Sequence, residues 1–167
     1  MNDFEDIERE ALQPIFLEAG ATLFDCQSFE YNIAYLLYLF SRLRLISLEN
    51  QKITAILEDD EKKTAGQLIH LLKQQLPVSE GLEKSLSKSL KARNKFVHRY
   101  LIDNVERFID PLDRDQIVIE IKSLRSTIRK THKLLEPFIK ALAETVEGKS
   151  IEKFQEEARE QFIKNLK

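Results

Sequence analysis

The run Lys91-Ala92-Arg93-Asn94-Lys95-Phe96-Val97-His98-Arg99-Tyr100 puts a guanidinium, a neutral amide, an imidazole and a phenol within eight residues, Arg93 to Tyr100. A guanidinium keeps its charge at any relevant pH, and its planar fork fits phosphate oxygens. An imidazole can both take and give a proton near neutrality. A side-chain amide orients a neighbour or hydrogen-bonds an oxyanion, and a phenol can hold substrate or be modified. Together they suit gripping or cutting a phosphodiester.

The spacing limits how they could cooperate. At about 100° per residue, Asn94 and His98 stack as an i,i+4 pair, and Tyr100 returns to within about 20° of Arg93. Arg93 and His98 diverge by about 140°, too far to meet on one ligand from one straight helix. Either the helix bends there, or a second copy of it completes the site; the latter implies a dimer whose two-fold axis passes through this segment.

Lys84, Lys88, Lys91, Lys95 and Arg99 recur every three or four residues, with no acid from Lys84 to Arg99. Such a stripe is ordinarily the solvated face of an amphipathic helix. A merely solvated face would interleave acids, however, because each i,i+4 repulsion costs a few tenths of a kcal/mol. A basic track beside a polar notch suits an RNA backbone, since phosphate contacts carry most nucleic-acid affinity. A second run, Lys122, Arg125, Arg129 and Lys133, has a less clear role. Glu30 lies in Phe29-Glu30-Tyr31, where an unpaired charge is costly, so it is a candidate partner for Arg93.

The elements that must position these groups read as helices. A long apolar periodicity from Leu17 to Leu43 includes Ala21, Phe24, Ile33, Leu36, Leu37 and Phe40. A break is expected at Ser47–Asn50, then a short helix to about Leu57 and a charged loop at Asp59–Lys63. Thr64 caps a helix through about Gln75, which Pro77 stops. Ser79 caps the site segment, about Glu80 to Asn104, and Asp113 caps a helix to about Glu147. The β-branched Ile117-Val118-Ile119-Glu120-Ile121 could form a strand, but the spacing of Leu124, Ile128, Leu135, Ile139 and Leu142 favours helix. Gly148 ends that helix, and Ser150 caps a charged, peripheral one to Leu166. The expectation is a single all-α domain over residues 1–167, an elongated bundle of about five to six helices.

Composition narrows the function classes. A net charge of −2 exerts no global pull on nucleic acid, so binding must rest on local clustering. The single cysteine, Cys26, excludes an internal disulfide and multi-cysteine metal sites, and between Phe24 and Phe29 it reads as a core residue. No histidine pair has metal spacing; His70 reads as partly buried and His132 as surface. Glycine-rich phosphate loops and glycine-flanked serine elbows are missing. An acidic N-terminus and short apolar runs give no membrane span, and the expectation is a cytoplasmic protein.

Arg93 with His98 five positions on, Asn94 directly after the arginine, and the extension His98-Arg99-Tyr100 resemble the defining motif of the HEPN superfamily of helical domains. The tyrosine-extended form is similar to that of HEPN toxins paired with minimal nucleotidyltransferases. The resemblance implies a homodimeric helical bundle with motif residues of both copies facing one cleft. It further implies a metal-independent endoribonuclease without cofactor, acting in toxin–antitoxin or other defence systems. Arg93, Asn94, His98 and Tyr100 would be its catalytic set. Tyr100 would be where a partner nucleotidyltransferase attaches AMP. Inactive HEPN domains that bind only RNA or nucleotides also exist, and a non-catalytic binding or interaction module is the alternative.

Overall fold

A computed structural model describes residues 3–46 and 64–148. The fold is all-α, with helices α1 (Asp3–Arg42), α2 (Ala65–Gln75), α3 (Glu80–Lys95), α4 (Val105–Ile109) and α5 (Arg114–Glu147). A π turn over Phe96–Tyr100 and a short turn over Leu101–Asp103 prolong α3. The described residues contain no strand, and the β-branched Ile117–Ile121 stretch opens α5 as helix. The break at residues 47–50, the short helix and charged loop after it, and the last helix fall outside the described residues. No helix among the described residues is long and apolar enough to cross a membrane.

Helix boundaries follow local chemistry. The Thr64 hydroxyl accepts from Gln67 N while the Gln67 side chain accepts from Thr64 N, a reciprocal capping box. Ser79 Oγ accepts from Leu82 N at the start of α3. Gly148, at φ 63°, takes the left-handed conformation that ends α5 at low steric cost. Asp113 stands at the N-cap position of α5, its carbonyl accepting from Ile117 N at 3.0 Å, while its Oδ2 accepts from Arg107 Nε at 3.2 Å.

The described residues divide into two compact units, one drawn from those within Met1–Glu30 and Val78–His132, the other from those within Tyr31–Pro77 and Lys133–Lys167. Helices α1 and α5 each contribute residues to both units. Buried positions on α1 fall at Ile15, Ala19, Thr22, Cys26, Phe29, Ile33 and Leu36, alternating steps of four and three. That spacing is a seam of the 3.5-residue kind, and it misses Phe24, which is 68% exposed rather than part of the core. In the second unit, Ala65, Leu68, Ile69 and Leu72 form the buried face of α2, and Leu135, Ile139 and Ala143 that of α5. His70 is exposed there and pairs with Gln74.

The first unit carries the site segment. Leu86, Ser89, Ala92, Phe96 and Tyr100 are the buried residues of α3 and its extension. Between α3 and α5 the contact is partly polar. Ser85 Oγ and Ser89 Oγ lie 2.6 and 2.7 Å from Thr131 Oγ1, and Ser89 also donates to the Thr127 carbonyl at 3.1 Å. Small hydroxyl side chains here satisfy one another in a place where a lone polar atom would be destabilising. Thr131→Val keeps the side-chain shape but strips the shared partner from both serines. It should cost roughly 1–3 kcal/mol, read as a lower urea midpoint at unchanged m-value.

Candidate functional site

The π turn resolves the angular problem set by the sequence. Phe96 N–H donates to both the Ala92 and Arg93 carbonyls, and from there the ladder widens to i→i+5. In that geometry residues five apart stack, as residues four apart do in an α-helix. Arg93 Nη1 consequently lies 3.0 Å from His98 Nε2 and donates to Asn94 Oδ1, also at 3.0 Å. A guanidinium has donors only, so His98 Nε2 is the acceptor and the ring carries its proton on Nδ1. Of the two solutions the helical wheel left open, a local change of helix geometry brings Arg93 and His98 together within one chain.

Arg93 faces two ways. Its outer nitrogen meets Asn94 and His98, both exposed, while Nη2 lies 2.5 Å from Glu30 Oε1 on α1. The pair is largely withdrawn from water, with the Arg93 and Glu30 side chains 15% and 26% exposed. Its alignment is imperfect: Glu30 Oε1 and Arg93 Nε are both buried without a hydrogen-bond partner among the described residues. The contact is therefore a close ion pair rather than a bidentate fork. Neighbouring Cys26 is a core thiol. Burial pushes it up to about 11, with Arg93 opposing and Glu30 and Asp25 adding to the shift, so it stays protonated at neutral pH.

Tyr100 belongs to a different cluster. It is buried, ring-packed with Phe96 at 6.5 Å, and its hydroxyl donates to Glu120 Oε2 at 2.7 Å. Glu120 also accepts from Arg107 Nη1 and Nη2 at 3.2 and 3.1 Å. Arg107 Nη1 in turn donates to Asn104 Oδ1 at 2.7 Å, and Asn104 Nδ2 donates to the Tyr100 carbonyl at 2.7 Å. The wheel set Tyr100 beside Arg93; the structure commits it to this inward network, so its hydroxyl is not presented to substrate or to a modifying enzyme. Burial, then the bond to Glu120, raise the Tyr100 pKa. Hydrogen bonds from Arg107, then Tyr100, hold Glu120 down at about 2. Sequence reasoning missed Asn104, Arg107 and Glu120. The signal was there in Ile119-Glu120-Ile121, a carboxylate in an apolar run, as with Glu30.

Lys84, Lys88, Lys91, Lys95 and Arg99 are all exposed. Lys84 pairs with Glu80 at 2.6 Å on an open surface, a contact of little energetic weight. Lys95 Nζ lies 5.8 Å from the centroid of the Tyr100 ring, again five residues on. The second basic run is broken up, because Arg125 donates to Asp25 and Glu18 on α1 at 2.6 and 3.1 Å. Among the described residues no three His, Cys, Asp or Glu side chains are grouped to hold a metal ion.

No family model, no curated protein and no solved structure matches this chain.

Folding lowers the Glu120 pKa from its ordinary 4.5 to about 2. Its bonds thus stabilise the fold fully above the ordinary value, and that stabilisation fades as pH falls from about 4.5 toward 2. Glu120→Gln should flatten this acid limb, measured as unfolding midpoint against pH. A variant with the wild-type slope would mean other carboxylates carry it.

Proposed function

We propose that the chain is a HEPN-type endoribonuclease whose reactive pair is Arg93 and His98, flanked by Asn94. The observation that carries this is the 3.0 Å approach of Arg93 Nη1 to His98 Nε2 at the surface, next to the exposed stripe from Lys84 to Arg99. A fixed positive charge touching an imidazole acceptor is suited to a phosphodiester flanked by a ribose 2′-OH. His98 acts as base on that hydroxyl, its Nε2 leaving Arg93 to take the proton while water protonates the 5′-oxygen. Alternatively, as imidazolium, it acts as acid on the 5′-oxygen while water takes the 2′-proton. The 2′-oxygen bonds to phosphorus, the bond from phosphorus to the 5′-oxygen breaks, and the products are a 2′,3′-cyclic phosphate and a 5′-hydroxyl. Arg93 stabilises charge on the phosphoryl oxygens as it builds in the transition state. The basic stripe follows the backbone of unpaired RNA, whose bases are accessible.

A homodimer would bring two copies of His98 to one cleft, one as base and one as acid. Its support is the resemblance, since convergence within one chain removes the geometric need for a second helix. A toxin–antitoxin or defence setting and a nucleotidyltransferase partner rest on the resemblance alone. AMP transfer to Tyr100 would first require the phenol to leave Glu120.

The Arg93–Glu30 ion pair favours a second reading, in which Arg93 is structural and the stripe binds RNA without cutting it. Labelled structured RNA in EDTA separates the two. Cleavage to cyclic-phosphate ends, abolished by both His98→Ala and Arg93→Ala with helicity retained, supports the nuclease. Retention without cleavage supports the binding module, and cleavage that survives both substitutions overturns the assignment. Under either reading, Lys88→Ala and Lys91→Ala should weaken binding across RNA sequences. Each should also reduce the salt dependence of log K by about one.

A further inference from the structure

The Asn104–Arg107–Glu120–Tyr100 network touches neither Arg93 nor His98, yet it grips the π turn that carries His98. Asn104 holds the last carbonyl of the π turn, that of Tyr100, and Glu120 holds the Tyr100 hydroxyl. Arg107 ties the two holders together and is itself anchored on Asp113 at 3.2 Å. One residue is therefore fixed at both its main chain and its side chain, at the C-terminal edge of the only π turn among the described residues. An isolated π turn is less favourable than α geometry and persists where its surroundings impose it. Without that grip the ladder is free to return to i→i+4, which swings His98 about 140° from Arg93.

We infer that Asn104, Arg107 and Glu120 are positioning residues: by pinning Tyr100 they hold the π turn that seats His98 against Arg93. The inference rests on the ribonuclease reading only where activity is the readout, because the seating is measurable without RNA. It also gives Tyr100 a role that its burial permits, as the handle by which the network holds the turn.

The test uses the full chain with 15N-labelled histidine and long-range 1H–15N correlation spectra, His98 being assigned by its loss in His98→Ala. In the wild type, His98 should show the Nδ1–H tautomer, with Nε2 accepting. In Asn104→Ala, and separately in the milder Tyr100→Phe, it should revert to the Nε2–H-rich mixture of a free imidazole. RNA cleavage should fall at least tenfold in the same variants with helicity kept. Deleting Val97 from the Asn104→Ala protein supplies a rescue that a general packing defect would not show. The deletion takes out the extra residue of the π turn, lets the ladder run i→i+4 without rotating either flank, and leaves Arg93 and His98 four apart, where an α-helix stacks them. Tautomer and cleavage should both recover. A wild-type His98 in the free-imidazole mixture overturns the inference, as does an unchanged tautomer in both folded variants or a failed rescue. A wild type that never cuts RNA while its tautomer shifts as described leaves the positioning intact and sinks the ribonuclease reading instead.

Discussion

Two residues five apart on an α-helix point about 140° away from each other, and Arg93 and His98 are five apart. Every chemical use of the pair depends on removing that angle. The chain does so locally, by widening one turn of α3 over Phe96–Tyr100, and the same turn lays Lys95 over the Tyr100 ring. Both i,i+5 contacts are the signature of the wider ladder, and neither would form on a straight helix. The turn lies between a buried apolar anchor, Phe96, and a buried polar one, Tyr100.

The unit that holds Arg93 and His98 is also where several charges are partly withdrawn from water. Glu30 meets Arg93, Glu120 meets Arg107 and Tyr100, and Asp25 and Glu18 meet Arg125. Each carboxylate stands beside a guanidinium because a buried charge without a partner is far more costly than an imperfect pair. Their arrangements differ in a way that bears on function. Arg107 is met by several acceptors and locked, while Arg93 keeps an unsatisfied Nε and turns one nitrogen outward to exposed side chains. A locked guanidinium suits scaffolding. One held from behind by a single carboxylate and open in front suits contact with an incoming phosphate.

The surface around this open edge is unlike the chain as a whole. The protein carries a net charge of −2, yet Lys84, Lys88, Lys91, Lys95 and Arg99 are all exposed along α3 and its extension, with no acid from Lys84 to Arg99. Lys122 and Arg129 stay exposed, while Arg125 between them is drawn into ion pairs with α1. The α3 stripe is thus the basic surface whose spacing and exposure agree along its full length.

By itself, the sequence determined the helical class, the caps at Thr64 and Ser79, the stop at Gly148, the basic face of α3, and Glu30 as a partner for Arg93. These depend on local hydrogen bonding, on periodicity, or on the cost of an unpaired charge, and all can be judged from neighbours in the chain. It misjudged Phe24, since an apolar residue on a periodic helix does not reveal which side its neighbours cover. Only the tertiary structure decided where Tyr100 and His98 point. An i→i+5 turn has no compositional mark, and what holds this one comes from Asn104, Arg107 and Glu120, the last 20 residues beyond Tyr100. Helical spacing on a wheel assumes one constant twist; the π turn over Phe96–Tyr100 changes that twist where Arg93 and His98 meet.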